Sequence, residues 1–176
     1  MRPKFGQFTA WRSQLMTRDR ATAALEFAMA SPLLIIMIAG AADLGLGQYD
    51  RAVIANAVAA GAEYAYQNGA TFASQNCSTC LSKIQGVVQN VSGLPNASST
   101  VTVTLSGSSV TGPGWYCVTG TAPTVSGSNS GGTCSDGSAA GYYIPIQASY
   151  TNSGLFGGFM SNWPLTITEQ ATVRVQ

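Results

Sequence analysis

The sixteen residues between Glu26 and Asp43 carry no charge, and a basic leader runs straight into them. Sixteen residues fall short of the ~20 that a bilayer core demands of a helix. Extending the run through Asp43 to Tyr49 gives about 34 Å of helix at ~1.5 Å per residue, enough to cross. Asp43 then falls near the outer interface, where a charge costs less than at mid-membrane. Glu26 stands at the mouth of the segment, and a carboxylate there is expensive unless it is used. Pro32 removes one helical hydrogen bond and so marks a kink or a loosened turn. Gly40, Ala41, Ala42, Gly45 and Gly47 form a run of small residues, which lets helices approach closely in lipid.

Charge is distributed unevenly. Residues 1–20 hold Arg2, Lys4, Arg12, Arg18 and Arg20 against Asp19, whereas residues 52–173 hold only Lys83 against Glu63, Asp136 and Glu169. The positive end stays on the cytoplasmic side of a membrane, so the remainder is exported. Net charge is +1, which provides no field for nucleic acid. The expected organisation is a basic cytoplasmic leader over 1–21, a transmembrane helix over 22–49 and an exported domain over 50–176. A competing reading takes residues 33–38 as the apolar core of a secretory signal, cleaved after Ala39-Gly40-Ala41. The long leader, Glu26 and a helical pattern that continues beyond the site speak against it.

After the apolar run, Val53, Ile54, Ala57, Val58, Gly61, Tyr64 and Ala65 recur at three- and four-residue steps, the pattern of an amphipathic helix. Asp50, Asn56, Glu63 and Gln67 are placed on its other faces, and Asn68-Gly69 reads as a stop. One helix from about Thr22 to Asn68 is expected. Residues 100–105, 115–119, 142–151 and 165–175 read as strands, the first by strict alternation of β-branched residues. Residues 81–91 read as a short helix. Residues 106–114 and 126–141 are rich in Gly and Ser and read as loops. The fold class is α+β: a long N-terminal helix packed on a small antiparallel sheet of three or four strands.

Cys77, Cys80, Cys117 and Cys134 all follow the apolar run, where export brings an oxidising compartment, so disulfides are expected. Three pairings are open, among them Cys77–Cys80 with Cys117–Cys134. The Cys77-Ser-Thr-Cys80 spacing also suits a thiol-disulfide enzyme, but no thioredoxin-type βαβ context surrounds it. Four cysteines suit zinc only weakly here, because the second pair lies 17 residues apart. The chain has no histidine, which removes His-activated nucleophiles and His-ligated metals. The scattered carboxylates form no acid/base pair. Trp115, Tyr116, Tyr142, Tyr143 and Trp163 read as packing residues rather than a sticky surface. No enzyme activity, cofactor or metal is expected.

The residues Glu26-Phe27-Ala28, Pro32-Leu33-Leu34, Asp43-Leu44-Gly45 and Asn56-Ala57 with Gly61-Ala62 resemble, as an ensemble, the TadE-like family. These are pseudopilins, or minor pilins, of the tight-adherence (Tad) pilus, a type IV pilin-like system. The resemblance covers roughly the first 65 residues. It implies cleavage by a membrane prepilin peptidase after a small residue placed five before a glutamate. That maps the processing site to Ala21 and Thr22, with Ala21 standing where glycine is commoner. It assigns assembly and recognition to Glu26 and Phe27, the carboxylate neutralising the freed Thr22 amine of a neighbouring subunit. The partners it implies are the membrane, prepilin peptidase, other pilin or pseudopilin subunits and the Tad assembly platform. Its place is the bacterial inner membrane, with the C-terminal domain in the periplasm or carried into an extracellular pilus, in the service of adhesion and biofilm formation. Two alternatives are an uncleaved component of the assembly apparatus and a secreted disulfide-bonded binding or thiol-redox domain.

Overall fold

The structure, a computed structural model, describes residues 8–94, 100–107, 110–119, 124–128, 132–156 and 165–176. The chain divides into two compact units, Met1–Leu44 and Gly45–Gln176. Helix α1, Phe8–Gln67, contributes to both. It begins earlier than Thr22, because the leader itself is helical from Phe8, and Pro32 lies inside it without ending it.

In the second unit, α1 is followed by α2 (Gly69–Ser74), α3 (Cys80–Ser92) and strands β1 (Val101–Thr104), β2 (Gly114–Thr119), β3 (Thr124–Ser128), β4 (Gly141–Asn152) and β5 (Leu165–Arg174). The core stripe of α1 follows its spacing: Ile54, Ala57, Val58, Gly61 and Ala65 are buried. They pack with Phe72 of α2, Ile84 and Val88 of α3, and the inward residues of the sheet. Gly61 permits the close crossing of α1 and α3, since a Cβ there would lie 2.7 Å from Cγ2 of Val88. Gly93 caps α3 in the left-handed conformation that glycine adopts without strain.

The expected stop at Asn68-Gly69 is a single-residue break rather than the end of helical structure. Asn68 Nδ2 donates to the Tyr64 carbonyl at 2.9 Å, and the Phe72 amide donates to the Asn68 carbonyl at 3.0 Å. The short α2 thereby carries Phe72 back against Tyr64, with ring centroids 6.2 Å apart. Asn56, Glu63 and Gln67 are exposed as expected, but Asp50 is not: it is buried on the core side. The reason is geometric. Positions 47, 50, 54, 57, 61 and 65 form one continuous stripe at helical spacing, and Asp50 belongs to it.

β4 organises the sheet. It pairs antiparallel with β5 along its length, from Tyr143↔Arg174 to Asn152↔Leu165. On its other edge it takes β2 at residues 141–143 and β1 at residues 147–150. Its inward residues Tyr142, Ile144, Ile146 and Ala148 are buried against the helices. Outward, Gln147, Ser149 and Thr151 of β4 stand in register with Gln170, Thr168 and Thr166 of β5. Thr104 and Thr102 of β1 continue the rows opposite Gln147 and Ser149.

The loop expected over residues 126–141 is partly a strand. β3 pairs with β2 through Val118↔Val125 and Thr119↔Thr124, and Thr133 bridges Ala139. Backbone pairing builds this hairpin with little apolar side chain, so its Gly/Ser composition conceals it. Both disulfides form: Cys77–Cys80, with Cα atoms 5.0 Å apart, and Cys117–Cys134, at 5.7 Å. The second ties β2 to the segment that follows β3. Within the loop it closes, Ser138 donates its hydroxyl and its amide to Asp136 at 2.7 and 3.0 Å, which holds that carboxyl below the usual carboxylate range. The aromatic residues pack, with Trp115 edge-on to the buried Tyr142 at 5.5 Å and Tyr116 edge-on to Tyr143 at 6.4 Å. Trp163 lies outside the described residues.

Candidate membrane and assembly site

Each of the N-terminal candidate residues lies on α1. The Ala21–Thr22 bond falls within the helix. Thr22, Glu26 and Phe27 are exposed, Phe27 by 68%. The large apolar residues that follow, among them Met29, Leu33, Leu34, Ile35, Met37 and Ile38, expose half or more of their surface. Within the most apolar 18-residue window of this helix only 11% is buried. In water such a stripe would be a severe liability, since soluble proteins seldom leave a contiguous apolar surface of this size uncovered. In a bilayer it is the ordinary outside of a helix, and α1 is long and apolar enough to cross one. Its backbone groups bond within the segment, which is what a hydrocarbon environment requires.

The glutamate lies one helical turn into this apolar stretch, four residues after Thr22. A residue and its i+4 neighbour share a helix face, so Thr22 and Glu26 present to the same side. Freed by cleavage, the Thr22 amine would belong to the end of a helix carrying a carboxylate one turn inward. Pairing amine and carboxylate between adjacent helices would neutralise both where unpaired charge is least tolerable.

The cysteines play no part in this arrangement. All four sulfurs are used in disulfides, so the zinc alternative has no thiolates to draw on. Cys80 is fully buried at the start of α3, and Thr79 makes no side-chain capping bond there. Asn76 and Cys77 both adopt positive φ, at 48° and 58°, as the chain turns from α2 into α3. The Cys77–Cys80 bridge closes that turn.

Residues 21–63 match the family model described as TadE-like protein. The matched segment thus begins at Ala21, takes in the exposed apolar part of α1 and continues into the core stripe. It contains Glu26-Phe27-Ala28, Pro32-Leu33-Leu34, Asp43-Leu44-Gly45, Asn56-Ala57 and Gly61-Ala62, the residues that carry the resemblance. No curated protein and no solved structure matches the chain.

One feature of this region was not legible as functional. Asp50 accepts a hydrogen bond from Nδ2 of Asn152, whose own Oδ1 accepts from the Gly154 amide at 2.6 Å. Nearby Tyr150 has its phenol pushed above the ordinary 10.0, first by burial and then by the charge of Asp50. The signal was present in the seven-residue spacing of Asp43 and Asp50 on one helix face, and both are buried.

Proposed function

We propose that this chain is a pseudopilin of a Tad pilus, anchored by residues 22–49 in the bacterial inner membrane with its disulfide-bonded domain in the periplasm. The observation that carries the reading is the TadE-like match over residues 21–63, on a helix whose apolar residues are exposed. Prepilin peptidase cuts between Ala21 and Thr22. Glu26 then sets the register of the helix against the amine of a neighbouring subunit, with Phe27 beside it in the apolar bundle. The role is structural and not catalytic: assembly, priming or tipping of the filament through contacts with other pilin subunits and the assembly platform. Adhesion and biofilm formation follow from that role.

Alanine in place of the commoner glycine before the cut favours one second reading: a component of the assembly apparatus that keeps its leader. The intact mass of the protein made in its own cells decides between them, with Glu26→Ala as control. A mature start at Thr22 supports the pseudopilin, and a full-length chain supports the fixed component. A start at Ala42 removes both in favour of a secreted domain.

A further inference from the structure

Where α1 leaves the apolar stretch, the second unit holds a cavity of about 400 Å³. Its wall is apolar, formed by Leu46 and Val53 of α1 with Leu94 and Leu155 from the turns after α3 and β4. Asp50 lines it and is 8% exposed, held in place by Asn152. Tyr49, Tyr150, Ser92 and Asn152, with the backbone of Gly93 and Gly154, complete the lining.

Two properties distinguish this cavity from an ordinary cleft. First, its carboxylate has no basic partner: among the described residues the sole ion pair is Arg51–Glu169, on another side of the helix. A carboxylate this buried, held by the neutral amide of Asn152, is suited to receive a cation. Second, its rim is apolar and exposed, with Tyr49 at 64% and Leu155 at 67%, and Phe156 beside it at 51%. A site for a water-soluble cation would have a polar mouth. A charged floor behind an apolar mouth fits an amphiphile that enters with its cationic end. The cavity's α1 residues follow directly on the apolar run, at the level where a spanning helix meets head groups and where tyrosines concentrate.

We propose that this cavity binds the ammonium head of a membrane phospholipid, of the phosphatidylethanolamine type. The ammonium lies against Asp50 and the faces of Tyr49 and Tyr150, as cations lie on aromatic rings. The phosphate stays in water, and the acyl chains leave the cavity over Leu46. The proposal rests on the membrane-spanning reading given above.

The test is native mass spectrometry of the full chain released from detergent micelles, after incubation with equal amounts of dioleoyl-phosphatidylethanolamine and dioleoyl-phosphatidylglycerol. The intact chain is expected to retain the ethanolamine lipid roughly tenfold over the glycerol lipid, a factor worth ~1.4 kcal/mol. Asp50→Asn abolishes that preference. Tyr49→Ala, at an exposed position that folding does not need, weakens it. Equal retention by the intact chain, or a preference undiminished in both variants, overturns the proposal. So does a lipid-free dimer that disappears with Lys83→Gln, which would give Asp50 to the lysine of a second copy. The same spectra read the N-terminus, so lost lipid binding in a chain that keeps residues 22–49 counts against the cavity alone.

Discussion

Gly61 of α1 lies directly under Val88 of α3, and a methyl group added at position 61 would approach Cγ2 of that valine to 2.7 Å. Both residues are in the buried core, so the neighbour has little room to give. Gly61→Ala gains about 1 kcal/mol of helix propensity but overpacks a contact whose strain costs about 1–3 kcal/mol. The expected result is a net loss of up to about 2 kcal/mol in urea unfolding of the protein in micelles. In a Val88→Ala background the same substitution becomes neutral or stabilising. Additive effects of the two changes would show that the crossing of α1 and α3 is looser than described.

The two disulfides differ in what they restrain. Cys117–Cys134 has a sequence separation of 17 and Cys77–Cys80 of 3. By loop-closure entropy the longer bridge contributes about 3 kcal/mol and the shorter about 2 kcal/mol. Replacing Cys117 and Cys134 together by alanine should therefore lower the unfolding midpoint more than replacing Cys77 and Cys80. The second pair also holds the positive φ of Asn76 and Cys77. Its removal should raise amide exchange locally between α2 and α3 and leave β4 protected.

On the pseudopilin reading proposed above, processing should respond to helix strength at the Ala21–Thr22 bond. A protease needs an extended segment, and the Ala21–Thr22 bond lies within α1. Ala21→Gly weakens the helix there by about 1 kcal/mol and supplies the commoner residue before the scissile bond. Its expected effect is faster conversion to the mature form, read as the ratio of precursor to product in a pulse-chase. Ala21→Leu should block conversion. Equal rates for alanine and glycine would mean that peptide unwinding does not limit cleavage.

Alkaline stability should report on the tyrosines that face the core. Burial, and then the charge of Tyr116, raises the Tyr142 phenol above its ordinary 10.0. The unfolded chain therefore ionises first as pH rises past 10.0. The associated stability is fully present below that pH and is lost as pH climbs through the folded value. Tyr142→Phe removes one such group, so the decline in unfolding free energy between about pH 9 and pH 11 should be shallower in the variant. An identical slope would place the sensitive group elsewhere, Tyr150 being the next candidate by the same raised phenol.

Much of this architecture was legible in the sequence because the strongest patterns are the local ones. The stripe from Ile54 to Ala65 and the alternation of β1 and β5 follow directly from side-chain period. So does α3, whose Ile84 and Val88 are its buried face. The parts that were missed depend on partners distant in the chain. β3 is defined by its pairing with β2 rather than by its own residues. The short α2 has a single buried large residue, Phe72, to betray it. Asp50 was placed on a polar face because a carboxylate normally seeks water, and its burial depends on Asn152, 102 positions later. The proposed processing site rests on the spacing of Ala21, Thr22 and Glu26 and on the family they resemble.

The position of β4 has a consequence for synthesis. Every other strand but β3 pairs with residues 141–152, and β3 joins through β2. A chain made from its N-terminus has therefore completed α1 long before the surface that covers its core stripe exists. Ile54, Val58 and the buried Asp50 must wait bare until nearly the last residues are delivered. Domains dominated by such late, distant pairings fold slowly, so the interval between emergence and closure is when this protein is most open to proteolysis and to the wrong partner.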